Sequence, residues 1–331
     1  MKKYHIYGIG AALVDTEVEV SDEFLSKASI DKGVMTLVDE ARQAELLGSL
    51  SDESNTMLRK GGGSVCNSVV AASSLGAKAF FSGKVADDED GQLYIDDLKG
   101  AGVEFHSAGQ ESGITGKCLV MVTDDAERTM NTFLGASEDL SAREIDQAAL
   151  LDSEWFYVEG YLVTDEARTA ATKAAVELAK AKGVKVAISL SDPFVVAVFG
   201  DSLRQVIGDG VDLIFCNKDE ATAFTGTETL EAASEALKQY TKTFAITDGA
   251  KGAITFDGSS LGQSEGVKAE AIDTNGAGDM FAGAFLYAIT AGKGYAWAAD
   301  LANDCAARVV AQFGPRLESS EFNAIKAKFG I

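Results

Sequence analysis

Residues 273–290 read DTNGAGDMFAGAFLYAIT, in which a glycine-rich segment is followed by an apolar run. The glycines at positions 276 and 278 predict a tight turn that leads directly into an apolar helix. A turn of this kind points successive backbone N–H groups at one spot, at the positive end of the helix dipole. The stretch therefore predicts an anion-binding site at the N-terminus of a helix.

Asp279 stands at the start of that helix, close to the predicted anion site. A carboxylate beside a bound anion is unfavourable unless it carries out proton chemistry or binds a cation. As a general base, it would take the proton from an attacking hydroxyl while backbone amides stabilise a transferring phosphoryl group. The alternative is structural, with Asp279 capping the helix and the glycines forming only the turn.

Outward from this stretch, short apolar runs alternate with Ala-rich segments along the chain. The apolar runs predict strands at residues 4–8, 78–82, 154–159, 184–190, 212–216 and 244–247. The intervening segments predict helices at residues 64–75, 90–99, 164–181, 194–206, 277–290 and 295–312. This alternation is typical of a mainly parallel sheet with helices on both faces, a three-layer α/β/α sandwich.

Two regions break the alternation and predict a second, smaller sheet. Residues 14–20 and 33–38 have the pattern of short strands, and residues 117–123 and 128–134 have the pattern of a hairpin. We expect residues 1–331 to form a single domain in which a discontinuous β lid comes from about residues 14–38 and 116–135. Lids of this kind exclude water from reactive phosphates.

Composition and charge exclude several classes of function. The 331 residues carry a formal net charge of −22, which disfavours binding to nucleic acid or to anionic membranes.

No apolar stretch approaches the roughly 18 residues that cross a membrane, and the N-terminus lacks the apolar core of a signal peptide. The four cysteines lie far apart, which suits a reducing compartment. We expect a cytoplasmic protein, and the sequence is compatible with either a monomer or a homodimer.

Several common catalytic and cofactor motifs are absent from the sequence. There is no G-x-x-x-x-G-K-[ST] loop and no G-x-S-x-G elbow. The G-x-G at residues 8–10 lacks the third glycine of a dinucleotide fingerprint, because Leu13 stands at that position. His5 and His106 are far apart, so histidine-based zinc chemistry is disfavoured.

The stretch at 273–290 resembles, position by position, the second signature of the ribokinase-like (pfkB) family of sugar and nucleoside kinases. The resemblance extends over about residues 4–315, with further motifs in the family's order. It implies a ribokinase-like fold and ATP-dependent phosphorylation of a primary hydroxyl. It also implies that Asp279 is the catalytic base and that the amides of Gly276, Ala277 and Gly278 form the anion hole.

Two segments resemble the acceptor-binding motifs of the family. Asp15 stands where an aspartate binds sugar hydroxyls, and its two carboxylate oxygens suit a vicinal diol. Residues 61–67, GGGSVCN, resemble the first signature, which implies acceptor contacts for Gly62, Gly63 and Asn67. Without the family context, Asp15 would be interpreted as a solvated loop carboxylate and the glycines as an ordinary helix start.

Two further residues gain an acceptor-side role only from the resemblance. Arg128 aligns with an arginine that reaches phosphate in adenosine kinases, and its alternative is an exposed turn residue. Glu159 stands near the position at which ribokinases direct an acid toward the sugar.

The nucleotide-binding motifs of the family have counterparts in the second half of the chain. Residues 217–220 match N-x-x-E, residues 247–252 resemble T-x-G-x-x-G, and position 303 lies where the family packs adenine. The resemblance implies that Glu220 organises Mg²⁺ through water, which fits the reluctance of this ion to lose its hydration shell. The implied nucleotide-binding residues are Asn217, Glu220, Thr247, Gly249, Gly252 and Asn303. Read alone, these motifs would be an acidic helix start and a hairpin turn.

The resemblance also bears on ions and on the acceptor. Many family members use K⁺ near the D-T-x-G-A-G-D loop, and Asp273 is the candidate contact here.

The acceptor is indicated by three features that resemble adenosine kinases: the G-G-S-x-x-N-S match, Asn275 and residues 190–194 (LSDPF). In contrast, Ala11 replaces a frequent asparagine. We therefore favour a small nucleoside such as adenosine over a sugar of the ribokinase, fructokinase or 2-keto-3-deoxygluconate kinase type. A ligand-sensing protein that kept the fold and lost catalysis is the remaining alternative.

Overall fold

The structure is a computed structural model that describes residues 2–50, 57–108 and 113–331. The strands of these residues are, in chain order, β1 (Tyr4–Ile9), β2 (Leu13–Glu19), β3 (Met35–Leu37), β4 (Met57–Gly62), β5 (Ala79–Ser82), β6 (Val103–His106), β7 (Gly116–Val122), β8 (Arg128–Phe133), β9 (Ser153–Val158), β10 (Lys185–Ser189), β11 (Val211–Asn217), β12 (Thr241–Thr247), β13 (Ala253–Phe256) and β14 (Leu261–Ser264). The helices are α1 (Asp22–Lys27), α2 (Glu40–Leu50), α3 (Ser64–Leu75), α4 (Glu89–Gly100), α5 (Gln147–Leu151), α6 (Glu166–Ala181), α7 (Pro193–Ile207), α8 (Lys218–Thr225), α9 (Leu230–Leu237), α10 (Ala277–Thr290), α11 (Tyr295–Val309) and α12 (Ser319–Phe329).

The larger sheet has nine strands in the order β14-β13-β12-β11-β10-β9-β1-β5-β6. Its strands are parallel from β12 to β6, and β13 and β14 add an antiparallel edge. Both faces of the parallel part are buried, which explains why strands such as β11 are nearly continuously apolar. The predicted mainly parallel sheet is confirmed.

Helices cover both faces of this sheet and form two hydrophobic cores. Side chains alternate between the faces, so on β1 Ile6 packs with α3, α10 and α11 while Tyr7 packs with α6 and α7. On the first face, α10 lies close against α3. A Cβ atom on Gly283 would lie only 2.2 Å from the Ser68 carbonyl oxygen, so glycine is what permits this approach. The approach brings the N-terminal turns of the two helices together.

The smaller sheet has five strands in the order β3-β8-β7-β2-β4. Helices α1 and α2 cover one of its faces and contribute Phe24, Leu25, Leu46 and Leu50 to a separate apolar cluster. The other face points toward the larger sheet. The predicted second sheet is confirmed, and it also contains β4, which the sequence analysis did not predict.

Element boundaries differ from the predictions where side chains cap the helices. The helix predicted at 164–181 begins at Glu166, because the Asp165 carboxylate accepts the N–H groups of Ala167 and Arg168 at 2.9 and 3.1 Å. Residues Gly160–Thr164 form a 3₁₀ turn before this cap. None of the helices in residues 2–50, 57–108 and 113–331 combines the length and the apolar character needed to cross a membrane.

The close approach of α3 and α10 predicts opposite effects for two glycine-to-alanine changes. Gly283→Ala should lower the free energy of unfolding by about 1–3 kcal/mol, because the added methyl group meets backbone that cannot move aside. Gly48→Ala, at an exposed position of α2 with open space around it, should raise that free energy by about 0.5 kcal/mol. Urea denaturation of both variants measures these changes, and equal effects at the two positions would contradict the proposed packing constraint.

Candidate active site

A cavity of about 700 Å³ lies between the two sheets. Residues at or just beyond the carboxyl ends of the parallel strands form one side of it, including Glu159, Asp192, Asn217 and Thr247. Open α/β sheets bind their ligands at this edge. The inner face of the smaller sheet forms the opposite side of the cavity.

The N-terminus of α10 opens into this cavity. Gly276 precedes the helix with φ at +73°, and a Cβ atom there would lie 2.5 Å from the Pro315 carbonyl oxygen, so the turn requires glycine. Gly276, Ala277, Gly278 and Asp279 all line the cavity. The structure thus places the four residues predicted to form the base and the anion hole at one point.

The Asp279 carboxylate is held by two donors from α3. Ser64 Oγ donates to Oδ1 at 2.6 Å, and Asn67 Nδ2 donates to Oδ2 at 3.0 Å. Burial raises the pKa of Asp279 above its ordinary value, while these two hydrogen bonds oppose the rise. A carboxylate that is oriented by two donors and has a raised pKa is suited to accept a proton from a hydroxyl.

Asp15, on β2, lines the same cavity as Asn67. Its side chain is buried, and within the described residues its carboxylate has no hydrogen-bonding partner. Burial raises the pKa of Asp15 to about 7. A Cβ atom on Gly62 would lie 2.0 Å from Asp15 Oδ2, and one on Gly63, where φ is +92°, would lie 2.2 Å from the Ala11 carbonyl oxygen. These glycines therefore leave room for Asp15 and for the turn into α3.

Glu159 lines the cavity, but both of its oxygens are engaged within the protein. The backbone N–H groups of Ala11 and Val65 donate to Oε1 and Oε2 at 3.2 and 3.1 Å. Burial raises the pKa of Glu159 to about 7. The carboxylate thus joins the loop after β1 to the first turn of α3, and its predicted contact with the acceptor stays a prediction.

Arg128, at the start of β8, brings a positive charge to this acidic cavity. Its half-buried guanidinium makes no hydrogen bond within the described residues. The positive charge of Arg128 opposes the rise of the pKa of both Asp279 and Glu220. The side chain is therefore placed to contact a negatively charged ligand between these two carboxylates.

Asn217 and Glu220 form a reciprocal cap at the start of α8. Glu220 N donates to Asn217 Oδ1 at 2.8 Å, and Asn217 N and Nδ2 donate to the two Glu220 oxygens at 3.0 and 2.7 Å. Burial raises the pKa of Glu220 to about 7, and the nearby charge of Asp192 adds to this rise. Because both Glu220 oxygens already accept hydrogen bonds, this donor set fits a hydrated Mg²⁺ better than a directly bound ion.

The predicted nucleotide-binding residues are not all brought to the cavity. Thr247 and Gly249 line it, whereas Gly252 and Asn303 do not. Gly252, with φ at +92°, packs against the backbone near Ser264, and Asn303 Nδ2 donates to Ser264 Oγ at 2.8 Å. The latter two residues therefore shape the neighbouring turn, and their contact with a nucleotide stays a prediction.

Comparison with known proteins identifies the family. The pfkB family of carbohydrate kinases matches residues 28–321. The chain belongs to this family. Adenosine kinase from Saccharomyces cerevisiae is 29% identical over 346 aligned residues, covering 96% of this chain and 98% of the yeast protein. The predicted resemblance and the predicted kinase activity are thereby confirmed.

Solved structures show the same relationship. A probable sugar kinase from Rhizobium etli superimposes with a TM-score of 0.93 at 31% identity, covering 100% of both chains. Adenosine kinase from Sinorhizobium meliloti superimposes with a TM-score of 0.92 at 33% identity, covering 98% and 99% of the two chains. The chain is thus a pfkB-family kinase of nucleosides or sugars that lies near the adenosine kinases.

Asp273, the predicted potassium contact of this kinase, is fully buried beside the turn that precedes α10. Its carboxylate accepts the backbone N–H groups of Asn275 and Gly314 at 2.8 and 3.0 Å. In this position Asp273 ties the turn to the segment after α11. Its contact with K⁺ stays a prediction.

Glu17 is a buried carboxyl that the sequence analysis missed. Its Oε1 accepts a hydrogen bond from Asn275 Nδ2 at 2.6 Å, so β2 is joined to the turn that precedes α10. Within the described residues, Glu17 Oε2 is buried without a partner. Burial raises the pKa of Glu17 from its ordinary value of 4.5 to about 8. The sequence could have indicated Glu17 through the alternation of side chains along β2, which places Glu17 on the same face as Asp15.

The raised pKa of Glu17 predicts a pH-dependent stability difference. The unfolded chain loses this proton near pH 4.5 and the folded chain near pH 8, so the carboxyl increasingly destabilises the fold across that window. Glu17→Gln has no such proton. Its free energy of unfolding relative to wild type should therefore rise between these pH values, by at most about 1.4 kcal/mol for each pH unit. Urea denaturation at several pH values measures this difference.

The matched control is Glu19→Gln, at the exposed end of the same strand. The difference between Glu19→Gln and wild type should stay constant over the window. A Glu17→Gln difference that is equally independent of pH would contradict the assignment of a raised pKa to Glu17.

Proposed function

We propose that this kinase transfers the γ-phosphoryl group of ATP to a primary hydroxyl of a ribose-containing nucleoside such as adenosine. The cavity has an apolar wall and a polar end, and this division favours a nucleoside as the acceptor. The apolar wall comes from the smaller sheet and from residues next to its strands: Ala11, Leu13, Met35, Leu37, Cys118, Val120, Met130 and Leu134. The polar end contains Asp15, Asn67 and Asp279.

A nucleoside matches both parts of this cavity. The flat base would bury apolar surface against the wall, and the ribose hydroxyls would reach the carboxylates. A free sugar carries hydroxyls on all sides, and those facing the wall would lose their hydrogen bonds to water. Glu159, which favoured a sugar in the sequence, has both oxygens engaged by backbone N–H groups.

In the proposed reaction, Asp15 accepts hydrogen bonds from the vicinal hydroxyls and positions the primary hydroxyl beside Asp279. Asp279 takes the hydroxyl proton as the oxygen attacks the γ-phosphorus. The bond between this phosphorus and the bridging oxygen breaks, and ADP leaves with the electron pair. The backbone amides of residues 276–278 and the Arg128 guanidinium stabilise the charge on the transferring group.

The proposed ATP site lies along the carboxyl ends of β11 and β12. Thr247 and Gly249 line this part of the cavity beside Asn217 and Glu220. A magnesium ion would neutralise charge on the ATP phosphates when bound. Glu220 and Asp192 would hold the hydration shell of that ion, since both carboxylates face the cavity.

We also propose that the smaller sheet acts as a lid within a single kinase domain. Two hydrogen bonds support this role by joining the sheet to the anion-hole turn. Asn275 Nδ2 donates to Glu17 Oε1 at 2.6 Å, and Thr274 Oγ1 donates to the Ala126 carbonyl oxygen at 3.2 Å. Contacts of this kind would exclude water from the phosphates when the acceptor is bound.

An acceptor panel tests the proposed function. We expect ADP release from Mg·ATP with one or more of adenosine, inosine and guanosine, and none with ribose, fructose or 2-keto-3-deoxygluconate. The physical reason is the apolar wall, which only the nucleosides cover. A coupled ADP-release assay measures turnover. Turnover with sugars alone would contradict the proposed acceptor, and ATP binding without turnover on any acceptor would favour a ligand sensor.

Substitution of the proposed base provides the second test. Asp279→Asn should lower kcat by about 10²–10⁴-fold, because the amide cannot accept the hydroxyl proton. The affinity for ATP, measured by calorimetry, should stay nearly unchanged. The matched control is Asp146→Asn at the N-terminus of α5, where either side chain can accept the hydrogen bond from Ala149 N. Unchanged turnover of the Asp279→Asn protein would contradict the assignment of the base.

A further inference from the structure

Arg316 follows α11 and places a guanidinium in the protein interior behind the catalytic residues. Its side chain is buried and does not line the cavity, so it is outside the predicted ligand contacts. All three of its nitrogens are engaged. Nε donates to Asn67 Oδ1 at 2.7 Å, one terminal nitrogen donates to Asp97 Oδ2 at 2.5 Å, and the other donates to Cys66 Sγ at 3.2 Å.

The contact with Asn67 determines how that side-chain amide is oriented. An amide has one accepting end and one donating end. Arg316 can only donate, so it selects the oxygen of Asn67 and leaves Nδ2 facing Asp279 Oδ2 at 3.0 Å. The reversed amide would place donor against donor at Arg316 and oxygen against carboxylate at Asp279.

Asp97 and Cys66 fix the guanidinium itself between α3 and α4. The ion pair with Asp97 compensates the buried charge, but buried ion pairs contribute little net stability over apolar side chains of similar volume. Stability alone therefore gives a weak account of this arginine. The planar guanidinium does provide a rigid set of donors, which suits the orientation of a neighbouring group.

We propose that Arg316 is a positioning residue for the catalytic base, acting through Asn67, whose amide it aims at Asp279. This inference rests on the proposed function, because it assigns the role of base to Asp279. Arg316 contacts neither the acceptor nor ATP in the proposed reaction. It sets the direction of the Asp279 carboxylate from the side opposite the cavity.

The charges that surround Asp279 define a readout specific to this role. Arg128 from β8 and Arg316 oppose the rise of the Asp279 pKa, while the carboxyls of Asp15 and Glu159 also face it. Loss of Arg316 removes a positive charge and releases the Asn67 donor. Both changes should raise the pKa of Asp279, so the acidic limb of the kcat profile should move to higher pH.

The first test replaces Arg316 in the full-length protein. Arg316→Met should lower kcat about 100-fold and move the acidic limb upward, while the KM for ATP stays nearly unchanged. Arg316→Lys keeps the charge but loses the planar set of donors, so kcat should fall about tenfold with a smaller shift of the limb. If thermal melting shows that the methionine variant is unfolded, the lysine variant carries the test. If a folded variant has an unchanged kcat and an unchanged acidic limb in its pH profile of kcat, the proposal is overturned.

A double-mutant cycle separates positioning from a general structural role. In the background of Asn67→Ala, Arg316→Met should lower kcat by less than about threefold further. The path of contacts from Arg316 through Asn67 to Asp279 is already broken in that background. A full 100-fold loss in that background would overturn the proposal. Arg308→Met is the matched control, because Arg308 pairs with Asp304 and Glu321 outside the cavity. It should lower the melting temperature while leaving the pH profile of kcat unchanged.

A readout without turnover distinguishes this inference from the proposed function. In protein labelled with ¹³C-aspartate, the Asp279 carboxyl resonance can be assigned by its loss in the Asp279→Asn variant. Its pKa should be higher in Arg316→Met than in wild type, whichever acceptor the enzyme uses. An unshifted pKa would overturn the role of Arg316, whereas absence of phosphoryl transfer by the wild-type protein would overturn the proposed function.

Discussion

The candidate active site is built around one buried carboxylate, that of Asp279. Asp279 lies at the N-terminus of α10, where backbone amides favour negative charge and burial disfavours it. Ser64 and Asn67 fix the carboxylate from the neighbouring helix. They reach it because Gly283 allows α3 and α10 to lie in close contact. The packing of two helices against one face of a parallel sheet thus sets the position of a single buried carboxylate.

The same cavity contains other buried carboxyls, and their pKa values show how the site tolerates them. Burial raises the pKa of Asp15, Glu159 and Glu220 to about 7. The chain as a whole has a net charge of −22, so its long-range field repels phosphates. The helix N-terminus and Arg128 must therefore provide local attraction. This separation of local from overall charge would allow an acidic protein to bind ATP in this cavity, as we propose.

Much of the fold and part of the site could be predicted from the sequence. The D-T-x-G-A-G-D motif is contiguous, so the turn, the start of α10 and the position of Asp279 could be predicted together. Strand β4 was missed because it ends in the glycines at 61 and 62, which disfavour strands, and forms only by pairing with β2. Ser64 could have been found as the first helical residue of the first signature.

The roles of Arg316 and Glu17 could not be predicted from the local sequence pattern. Each gains its role from a partner more than 200 positions away in the chain, Asn67 for Arg316 and Asn275 for Glu17. A single sequence does not reveal such pairs, since neither residue alters a periodicity or completes a motif. The engagement of Glu159 by backbone amides was equally hidden, because the donors belong to the loop after β1 and to α3.

The most direct test of the role proposed for Asp279 is a crystal structure of the Asp279→Asn protein with adenosine and a non-hydrolysable ATP analogue. We predict that the 5′-hydroxyl oxygen lies within about 3.2 Å of the side chain at position 279. The γ-phosphate should lie against the amides of residues 276–278, in line with that oxygen. A primary hydroxyl directed away from position 279, or a γ-phosphate bound away from the N-terminus of α10, would contradict the roles proposed for Asp279 and for the amides of residues 276–278.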